Sequence, residues 1–301
     1  MNVASHDRLG NVGRFALLTL GSKNDVKVEW REIVEVSCIA GIKERSTERL
    51  RAAGIRTVQE FAGADISTLA KILSKPPPKP IEILKARALS LAGNRPILFR
   101  SLALPSPPEL FLDIETDSQG GLKLVWLIGL CLGRNGPYKS FFAESPSDER
   151  NTLTRFSSFL ADRPTGNILT FSASKLEERA LRARLSAAGI DTSVCSRIFN
   201  LSAVFQQSVA LPINSESVKD VGKFFGFRPR HAELDGLRVA LDYEQRYLCL
   251  RNAAQRRKLK QRFLEYNEDD VRCLPFILDA VAKLSPILDV SIQVPTQPES
   301  K

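Results

Sequence analysis

The spacing of apolar residues predicts a small helical domain ahead of a larger body. Over residues 31–95, apolar side chains recur every three or four positions and are interrupted by glycines, a pattern that favours several short helices. The prolines at 76–80 stop any helix from continuing through them, and the next apolar stripe predicts a helix at 81–92. We therefore expect an all-α domain at 31–95.

The rest of the pattern predicts strands first and an alternation of helices and strands afterwards. Apolar runs of strand length lie at 110–114 and 122–132, with a turn signal at 117–121, and residues 138–143 alternate well enough for a third strand. These three strands are expected to form an antiparallel meander. Later segments are predicted in turn as a helix, a strand and three helices, at 147–163, 168–171, 175–188, 216–226 and 257–284. This order is typical of an α/β, ribonuclease H-like fold, in which helices flank a mixed sheet.

Three segments fall outside these two domains. Residues 1–30 have no strong period, which leaves either a poorly defined leader or a pair of strands. Four prolines make residues 96–108 a stiff, Pro-rich linker. The sheet domain is then expected at 109–288, followed by a flexible tail at 289–301.

The composition is typical of a folded protein without a membrane segment. Of 301 residues, 43% are hydrophobic and 26% are charged, which is enough apolar surface for a packed core. No apolar run reaches the ~18 residues of a membrane span, and the first residues lack the pattern of a secretory signal. Five cysteines are scattered without a paired spacing, which argues against a disulfide framework or a zinc site and favours a cytoplasmic location.

The net charge of +9 is concentrated near the start of the chain. Residues 1–100 contain 17 Lys and Arg against 10 Asp and Glu, whereas residues 101–301 contain 26 against 24. A basic appendage on a nearly neutral body is typical of proteins that bind nucleic acid. Mild basicity without any such role is the alternative that charge alone leaves open.

The first candidate for chemistry is the pair Asp113 and Glu115, at the end of the first predicted strand of the body. Side chains two positions apart on a strand point to the same side, so both carboxylates reach one site. Two like charges placed together are costly unless a cation neutralises them, so the pair indicates ligands of a divalent metal. The alternative is an exposed acidic turn at a strand end.

The second candidate lies on the last predicted helix. Tyr266 and Asp270 are four residues apart and share a helix face, which suits a phenol that orients water beside a metal-bound carboxylate. A solvated acidic turn of a surface helix is the alternative. Glu177, near the start of the predicted helix 175–188, adds a carboxylate from a third element. Carboxylates from three elements can hold two cations for in-line attack on a phosphodiester.

Four stretches of the chain together resemble a known group of nucleases. They are FLDIETD, TFSASKLEERAL, YNEDDV and the connector LSAVFQQSVALPINSESVKDVGKFFGF. Through these stretches, residues 109–284 resemble the DEDD superfamily of 3′–5′ exonucleases in its tyrosine-containing subgroup. More closely, they resemble the YprB-type, RNase H-like nuclease domain that also ends a group of RecB-like putative nucleases.

The resemblance implies a two-metal nuclease that acts on DNA or RNA, most often from a 3′ end. It makes Asp113, Glu115, Glu177 and Asp270 the ligands of two Mg²⁺ or Mn²⁺ ions, and Tyr266 the group that orients water. Oxygen-only ligands favour these hard cations over zinc. Two alternatives stay open: a nucleic-acid-binding protein with an inactive site, and a proofreading domain that works within a larger complex.

The second of the family motifs departs from its usual form. Glu177 replaces an aspartate and is one methylene longer, and Ser172-Ala173 replaces an asparagine–glycine pair. Asn200 stands where relatives often carry an acid. These departures are what a protein with an inactive site would show.

The basic helices near the start of the chain resemble a helix-hairpin-helix unit. The stretch is CIAGIKERSTERLRAAGIRTVQEFA, with Gly41 as the turn glycine. Such units bind phosphates through backbone amides at helix N-termini, aided by nearby cations, which nominates Lys43, Arg45 and Arg49. The usual second glycine is missing, so a purely structural appendage is the alternative.

Two further groups of charged residues have weaker signals. Arg256 and Lys260 share a face of the last predicted helix and are candidates for tracking a nucleic-acid backbone, with a solvated basic flank as the alternative. Asp117 and Asp269 adjoin the acidic motifs, and we expect turn or surface acids at both positions rather than metal ligands.

Overall fold

The computed structural model describes residues 12–20, 26–73, 80–106, 110–118, 123–163, 165–172, 174–213, 215 and 217–286, with residues 12–20 and 26–33 described by their backbone alone. The chain divides into two compact units. The N-terminal unit consists of Met1–Ser101, Gln207–Asn214 and Leu284–Lys301. The sheet unit consists of Leu102–Gln206 and Ser215–Lys283.

The described residues form nine strands and ten α-helices. The strands are β1 (Val12–Leu20), β2 (Val26–Val34), β3 (Ile97–Leu98), β4 (Leu110–Thr116), β5 (Val125–Leu132), β6 (Tyr138–Phe142), β7 (Ile168–Thr170), β8 (Ile198–Asn200) and β9 (Val209–Ala210). The α-helices are α1 (Glu44–Ala52), α2 (Val58–Gly63), α3 (Ile66–Ile72), α4 (Ile81–Gly93), α5 (Glu149–Ala161), α6 (Leu176–Ala187), α7 (Leu201–Ser208), α8 (Val218–Phe224), α9 (Gly236–Leu241) and α10 (Ala253–Ala282). A π-helix, Asp242–Tyr247, follows α9.

The sheet unit is built on a five-stranded mixed sheet with the order β6-β5-β4-β7-β8. β4, β5 and β6 form an antiparallel meander, whereas β7 and β8 extend the sheet in parallel on the other side of β4. This arrangement confirms the predicted meander and the predicted α/β, ribonuclease H-like fold with helices around a mixed sheet. β4 lies at the centre, so residues on it are reached from both neighbouring strands.

Alternation along β4 separates the apolar core from the acidic face. Leu110, Leu112 and Ile114 point into a core that also contains Phe156 from α5 and Leu181 from α6. Burial of each such side chain contributes about 1.5–3 kcal/mol. Because successive strand residues face opposite sides, the intervening acids must point to the other face of the sheet.

That other face is covered by α10, a helix of 30 residues and therefore about 45 Å in length. Its first turn is capped by Asn252, whose side chain accepts hydrogen bonds from two backbone amides. Phe263 of α10 packs edge-on against Trp126 of β5, with 5.2 Å between ring centroids. The π-helix stacks Tyr243 on the same indole at 4.3 Å. This aromatic cluster holds α10 against the sheet at the level of the acidic residues.

The N-terminal unit contains the predicted helices, which are α1 to α4, and two pairs of strands. β1 pairs with β2, which agrees with the strand-pair alternative for residues 1–30, and β3 pairs with β9. Two of its basic residues are buried: Lys85 donates to the Ala64 carbonyl, and Arg87 donates to the Ala40 carbonyl at 2.6 Å. Part of the basic charge near the start of the chain therefore holds loops in place.

Several predicted boundaries differ from those of the structure. Strand β3 lies inside the segment predicted as a linker, and β8 was not predicted because three residues are too few to show a period. The last helix begins four residues before its predicted start. The proline break at 76–79, the turn residues 119–121 and the tail 289–301 lie outside the described residues. In the part of the chain that is described, no helix has the length and apolar character needed to cross a membrane.

Candidate metal centre

β4 and α10 bring three carboxylates together. Asp113 and Glu115 lie on the face of β4 that α10 covers, where Asp113 is opposite Gly129 of β5. α10 supplies Asp270, which is 8% exposed, and one oxygen from each of the three carboxylates lies within 4.8 Å of the others. A register shift between Glu115 and Thr116 ends the regular pairing directly after the pair. Residues far apart in the chain thus form one acidic centre.

Burial makes the negative charge of this centre costly. Desolvation, followed by repulsion from Asp270, raises the pKa of Glu115 to about 8. Desolvation also raises the pKa of Asp270 to about 6, and the nearby Lys219 limits the rise. The pKa of Asp113 is raised well above its ordinary value, again first by desolvation and then by Glu115. Carboxylates in this situation are stabilised by a bound cation.

A buried amide holds the two carboxylates of β4. The side chain of Asn267, which is fully buried, donates to Asp113 Oδ2 at 2.8 Å and to Glu115 Oε1 at 3.2 Å. Its oxygen accepts a hydrogen bond from the Tyr138 hydroxyl at 2.8 Å. A Cβ atom built on Gly129 would lie 1.8 Å from that oxygen. Glycine is therefore required opposite Asp113 for the amide to occupy this position.

Lys219 of α8 supplies a positive charge at the edge of the centre. Its Nζ lies 3.5 Å from Asp270 Oδ2 and 3.6 Å from the centroid of the Tyr266 ring. The same ammonium donates to the Tyr266 hydroxyl and, at 3.2 Å, to the Leu234 carbonyl. Tyr266 and Asp270 share a helix face, as predicted from their spacing, and Lys219 contacts both.

Glu177 enters from α6 but is not a member of the group of three. It lies in the first turn of the helix after Lys175, which has a left-handed backbone with φ of 53°. Its Oε2 accepts a hydrogen bond from the Ser172 hydroxyl. Burial raises the pKa of Glu177, and its charge contributes to the raised pKa of Asp113. Glu177 is thus a near neighbour of the centre whose carboxylate is held by a serine.

Asn200 has a clear structural role. Its amide nitrogen donates to the Ser172 carbonyl at 2.7 Å, and its oxygen accepts from the Ser172 amide at 3.3 Å. An aspartate has no donor for the first of these bonds. Asn200 therefore positions the residue that holds Glu177.

The centre opens into a cleft of about 740 Å³ within the sheet unit. Asp113, Glu115, Tyr266 and Asp270 line one side of it. The start of α8 and a segment at 232–236 also line it. The cleft is large enough for a small segment of a polymer.

The wall segment is fixed to α10 by Asp269. This carboxylate accepts from the Arg230 backbone amide at 2.6 Å and from its guanidinium at 2.9 Å. We expected a turn or surface acid at this position, but Asp269 is buried. Asp117 is also buried, and accepts from the amides of Lys123 and Leu124 at the end of the β4–β5 hairpin. Both acids hold backbone segments.

The predicted cations lie in three different settings. Lys43, Arg45 and Arg49 are exposed on or beside α1 in the N-terminal unit. Arg256 and Lys260 share a face of α10, as predicted, but both are engaged with Glu144. A role for any of them in nucleic-acid binding stays a prediction.

Two residues of the centre were missed in the sequence. Lys219 and Asn267 fall inside the quoted stretches SVKDVGKFFGF and YNEDDV, yet neither carries the carboxylate that marks the acidic motifs. The sequence held one signal for Asn267. It lies directly after Tyr266 and one helical turn before Val271, so it shares a helix face with an apolar residue and is expected to be buried. Lys219 had no comparable signal, because its partners lie on another helix.

The fold and the acidic centre define a ribonuclease H-like domain with the donor set of a metal site. A family model described as RNase H superfamily matches residues 110–282, more than half of the chain. The protein therefore belongs to the RNase H superfamily. This confirms the fold predicted for the body, with boundaries close to those of the sheet unit.

Similarity to individual proteins is distant. A family B DNA polymerase from the hyperthermophilic archaeon Pyrobaculum calidifontis is similar in structure, with a TM-score of 0.42 and 14% sequence identity. The match covers 94% of this chain and 46% of the polymerase, so the chain spans about half the length of that structure. No curated protein matches the sequence.

Proposed function

We propose that the protein is a metal-dependent nuclease that hydrolyses phosphodiester bonds of DNA or RNA from a 3′ end. Within the RNase H superfamily it would belong to the YprB-type domains and to the tyrosine-containing DEDD exonucleases. The observation that carries the proposal is the group of Asp113, Glu115 and Asp270 within 4.8 Å, lining a cleft.

The residues of the centre fit divalent cations. All the candidate donors are carboxylate oxygens, which suits Mg²⁺ or Mn²⁺. Their burial and mutual repulsion raise their pKa values, and this cost is removed when a cation binds. Asp113, Glu115, Glu177 and Asp270 would hold two ions. When bound, such ions generate a nucleophile from water and stabilise the leaving oxygen of an in-line displacement.

Tyr266 is the group we assign to orienting water. Its hydroxyl oxygen accepts from Lys219, so the Lys219 ammonium sets the direction of the hydroxyl. Burial, with the neighbouring carboxylates, raises the pKa of Tyr266, which keeps the phenol protonated. The phenol also hydrogen-bonds to Asp270, so a water molecule in the cleft would be held by the remaining acceptor site of the hydroxyl and by the carboxylate.

Digestion of end-labelled polymers tests the proposal. Single- and double-stranded DNA and RNA, labelled at the 3′ or 5′ end, are incubated with Mn²⁺ or with EDTA. We expect stepwise shortening from the 3′ end that requires metal. Asp113→Ala should slow it by more than about 100-fold, since the loss of one group that stabilises transition-state charge costs 10²–10³. Cleavage that persists in EDTA or in Asp113→Ala contradicts the proposal.

A second candidate is a nucleic-acid-binding protein with an inactive site. It is favoured by one observation, the position of Glu177 outside the group of three carboxylates. Glu177→Asp distinguishes the two candidates. In the second, binding in EDTA is retained, the wild-type protein cleaves no polymer, and the aspartate restores metal-dependent cleavage. In the first, the wild-type protein already cleaves.

For the N-terminal unit, we propose a helix-hairpin-helix role in phosphate binding. Support comes from the exposed cations Lys43, Arg45 and Arg49, which lie on or beside α1 just after Gly41. Gly41 has φ of 104°, a conformation that favours glycine. The predicted domain boundaries and the cytoplasmic location likewise stay proposals.

A further inference from the structure

The start of α10 is strongly basic, and its geometry sorts the cations into rows. Residues 251–262 contain six Lys and Arg and no Asp or Glu. Helix residues four apart lie in one row, with about 6 Å of rise per step. Lys258, Arg262, Tyr266 and Asp270 form one such row, which winds by about 120° around the helix between Lys258 and Asp270 because each step of four residues exceeds a full turn by about 40°. The row that enters the acidic centre at one end is therefore basic at the other.

A different row carries Arg256 and Lys260, and it is occupied by Glu144. Arg256 donates to the Glu144 carbonyl at 2.5 Å and lies 4.6 Å from the centroid of the Tyr247 ring. Lys260 pairs with the Glu144 carboxylate and lies 4.6 Å from the Phe142 centroid. These two cations are held by protein groups, and neither lines the cleft.

The row of Lys258 and Arg262 borders a groove, which we call the α10 groove. It has a volume of about 430 Å³ and is lined by Arg246, Leu250, Gln255, Lys258, Leu259 and Arg262. The lining contains three cations and no acid. Arg246 pairs with Asp242 at 2.9 Å, yet more than half of its side chain is exposed. The groove therefore presents positive charge and some aliphatic surface to solvent.

One ion pair connects a residue of the α10 groove with a residue of the cleft. Arg262, in the groove, contacts Glu233 at 2.5 Å, and Glu233 lines the cleft. The Glu233 side chain is 60% exposed, so its carboxylate remains in contact with solvent while it pairs with Arg262 of the groove. A phosphate group is a competing anion for the same guanidinium.

We infer that the α10 groove binds the phosphodiester backbone of the strand whose reacting bond lies in the cleft. The inference rests on the proposed nuclease function. It adds the course of the substrate strand from the cleft into the groove, which we call the path. Charge complementarity selects a polyanion, and the ion pair of Arg262 with Glu233 joins the groove to the cleft that Tyr266 and Asp270 line. Lys258 lies about 18 Å along the helix from Asp270, so the groove contacts nucleotides several positions away from the reacting phosphate.

Binding of a fluorescent single strand of about 20 nucleotides, in EDTA, tests the path. We expect Lys258→Glu and Arg246→Glu each to weaken binding by about 10-fold and to reduce the dependence of log Kd on log salt by about 1. Arg257→Glu is the matched control, because it makes the same change of charge at an exposed neighbour that does not line the groove. It should weaken binding by less than about 3-fold. Equal losses in all three variants would overturn the inference.

A second pair of variants makes the same change of charge at two places, and we expect a large effect on binding from one and a small effect from the other. Glu233→Gln releases Arg262 in the groove, whereas Glu144→Gln releases Lys260, which does not line the groove, and leaves Arg256 on the main-chain carbonyl of Glu144. We expect Glu233→Gln to tighten binding by about 3-fold or more, and Glu144→Gln to leave it within about 1.5-fold. Equal tightening would show a general effect of charge and contradict the path.

Cleavage of long and short substrates separates the path from the proposed function. With Mn²⁺, Lys258→Glu should lower kcat/KM about 10-fold for the long strand and leave a dinucleotide unaffected, because a dinucleotide fills only the cleft. If Lys258→Glu lowers kcat/KM equally for both substrates while the wild type still cleaves, the role of the groove is wrong and the proposed function stands. Absence of metal-dependent cleavage in the wild type overturns the proposed function. If poly-glutamate of equal length competes as well as nucleic acid, the groove binds acidic peptides and the inference is wrong.

Discussion

Asn267 is the residue on which the arrangement of the acidic centre depends. Its amide donates to both carboxylates of β4 and is itself held by Tyr138. An aspartate of the same shape offers no donor at neutral pH and adds a further negative charge. Gly129 leaves the space that the amide fills. Asn267 on the helix and four residues on three strands, namely Asp113, Glu115, Gly129 and Tyr138, thus act as one unit.

Gly129→Ala should damage the centre through crowding. The new Cβ would lie 1.8 Å from Asn267 Oδ1 and 2.9 Å from the Tyr138 hydroxyl, so the amide must move. We expect a cost of about 1–3 kcal/mol in the free energy of unfolding and weaker binding of Mn²⁺, measured by denaturant unfolding and by calorimetric titration. Gly63→Ala is the control, since a Cβ there meets no described atom within 4 Å. Unchanged Mn²⁺ affinity in Gly129→Ala would contradict the role of the amide.

Asp113→Asn should stabilise the metal-free protein. The substitution removes one buried charge beside Glu115 and Asp270 while retaining an oxygen that accepts from Asn267. We expect a gain of about 1 kcal/mol, or roughly 2–4 °C in Tm for a domain of this size, in EDTA. The variant should also lose the rise in Tm that Mn²⁺ gives the wild type. A lower Tm in EDTA would show that the acidic centre is not under repulsion.

At the scale of elements, different parts of α10 have three structural roles. Its aromatic side chains hold it to β5, its middle supplies Asn267 and Asp270 to the centre, and Asp269 fixes the wall segment. Neighbouring residues of a helix point in different directions: Glu268 and Asp269 both pair with Arg230, whereas Asp270 points into the centre. The acidic run in the sequence therefore does not form one cluster.

Asp269→Ala should loosen the wall of the cleft while leaving the metal ligands in place. The change removes two hydrogen bonds to Arg230, and bonds to charged groups contribute about 1.5–3 kcal/mol each at most. We expect faster hydrogen exchange over residues 230–236 and a raised KM, with a smaller change in kcat. Glu268→Ala, which removes the more exposed contact of Arg230, is the control. Equal exchange in both variants would argue against a specific role for Asp269.

At the scale of the whole molecule, the net charge of +9 predicts binding to a polyanion that weakens as salt increases. Conversion of Lys43, Arg45 and Arg49 to Gln removes three exposed cations from the N-terminal unit. If these residues contact phosphates, the slope of log Kd against log salt should decrease by about 2–3. The measurement is a salt titration of binding to single- and double-stranded DNA in EDTA.

The matched control for this triple variant is a second triple variant in the sheet unit. Arg150, Arg155 and Arg179 are exposed cations of α5 and α6, and their conversion to Gln makes the same change in net charge. We expect their slope to remain within about 1 of the wild-type value. Equal slopes in the two triple variants would favour a structural role for the N-terminal helices.

Much of the fold follows from local patterns in the sequence. The apolar run of β5 is continuous, and β4 and β6 carry enough apolar residues between turns that these strands and their meander were predictable from neighbouring residues alone. The helical stripe of α10 was equally clear, although its first residues are too polar to show the stripe. By contrast, β3, β8 and β9 have two or three residues each. Such strands form because other strands pair with them, and they are too short to show a hydrophobic period in the sequence.

The sequence by itself determined the types and the local spacing of the residues at the centre. Asp113 and Glu115 share a strand face, and Tyr266 and Asp270 share a helix face, because these relations depend only on backbone geometry. Tertiary structure alone decided which distant groups meet. Asn267 reaches Asp113 across 154 positions and Lys219 reaches Tyr266 across 47, whereas Glu177 stays outside the group of three. Such contacts depend on how α8 and α10 pack on the sheet, and packing is a property of the folded whole.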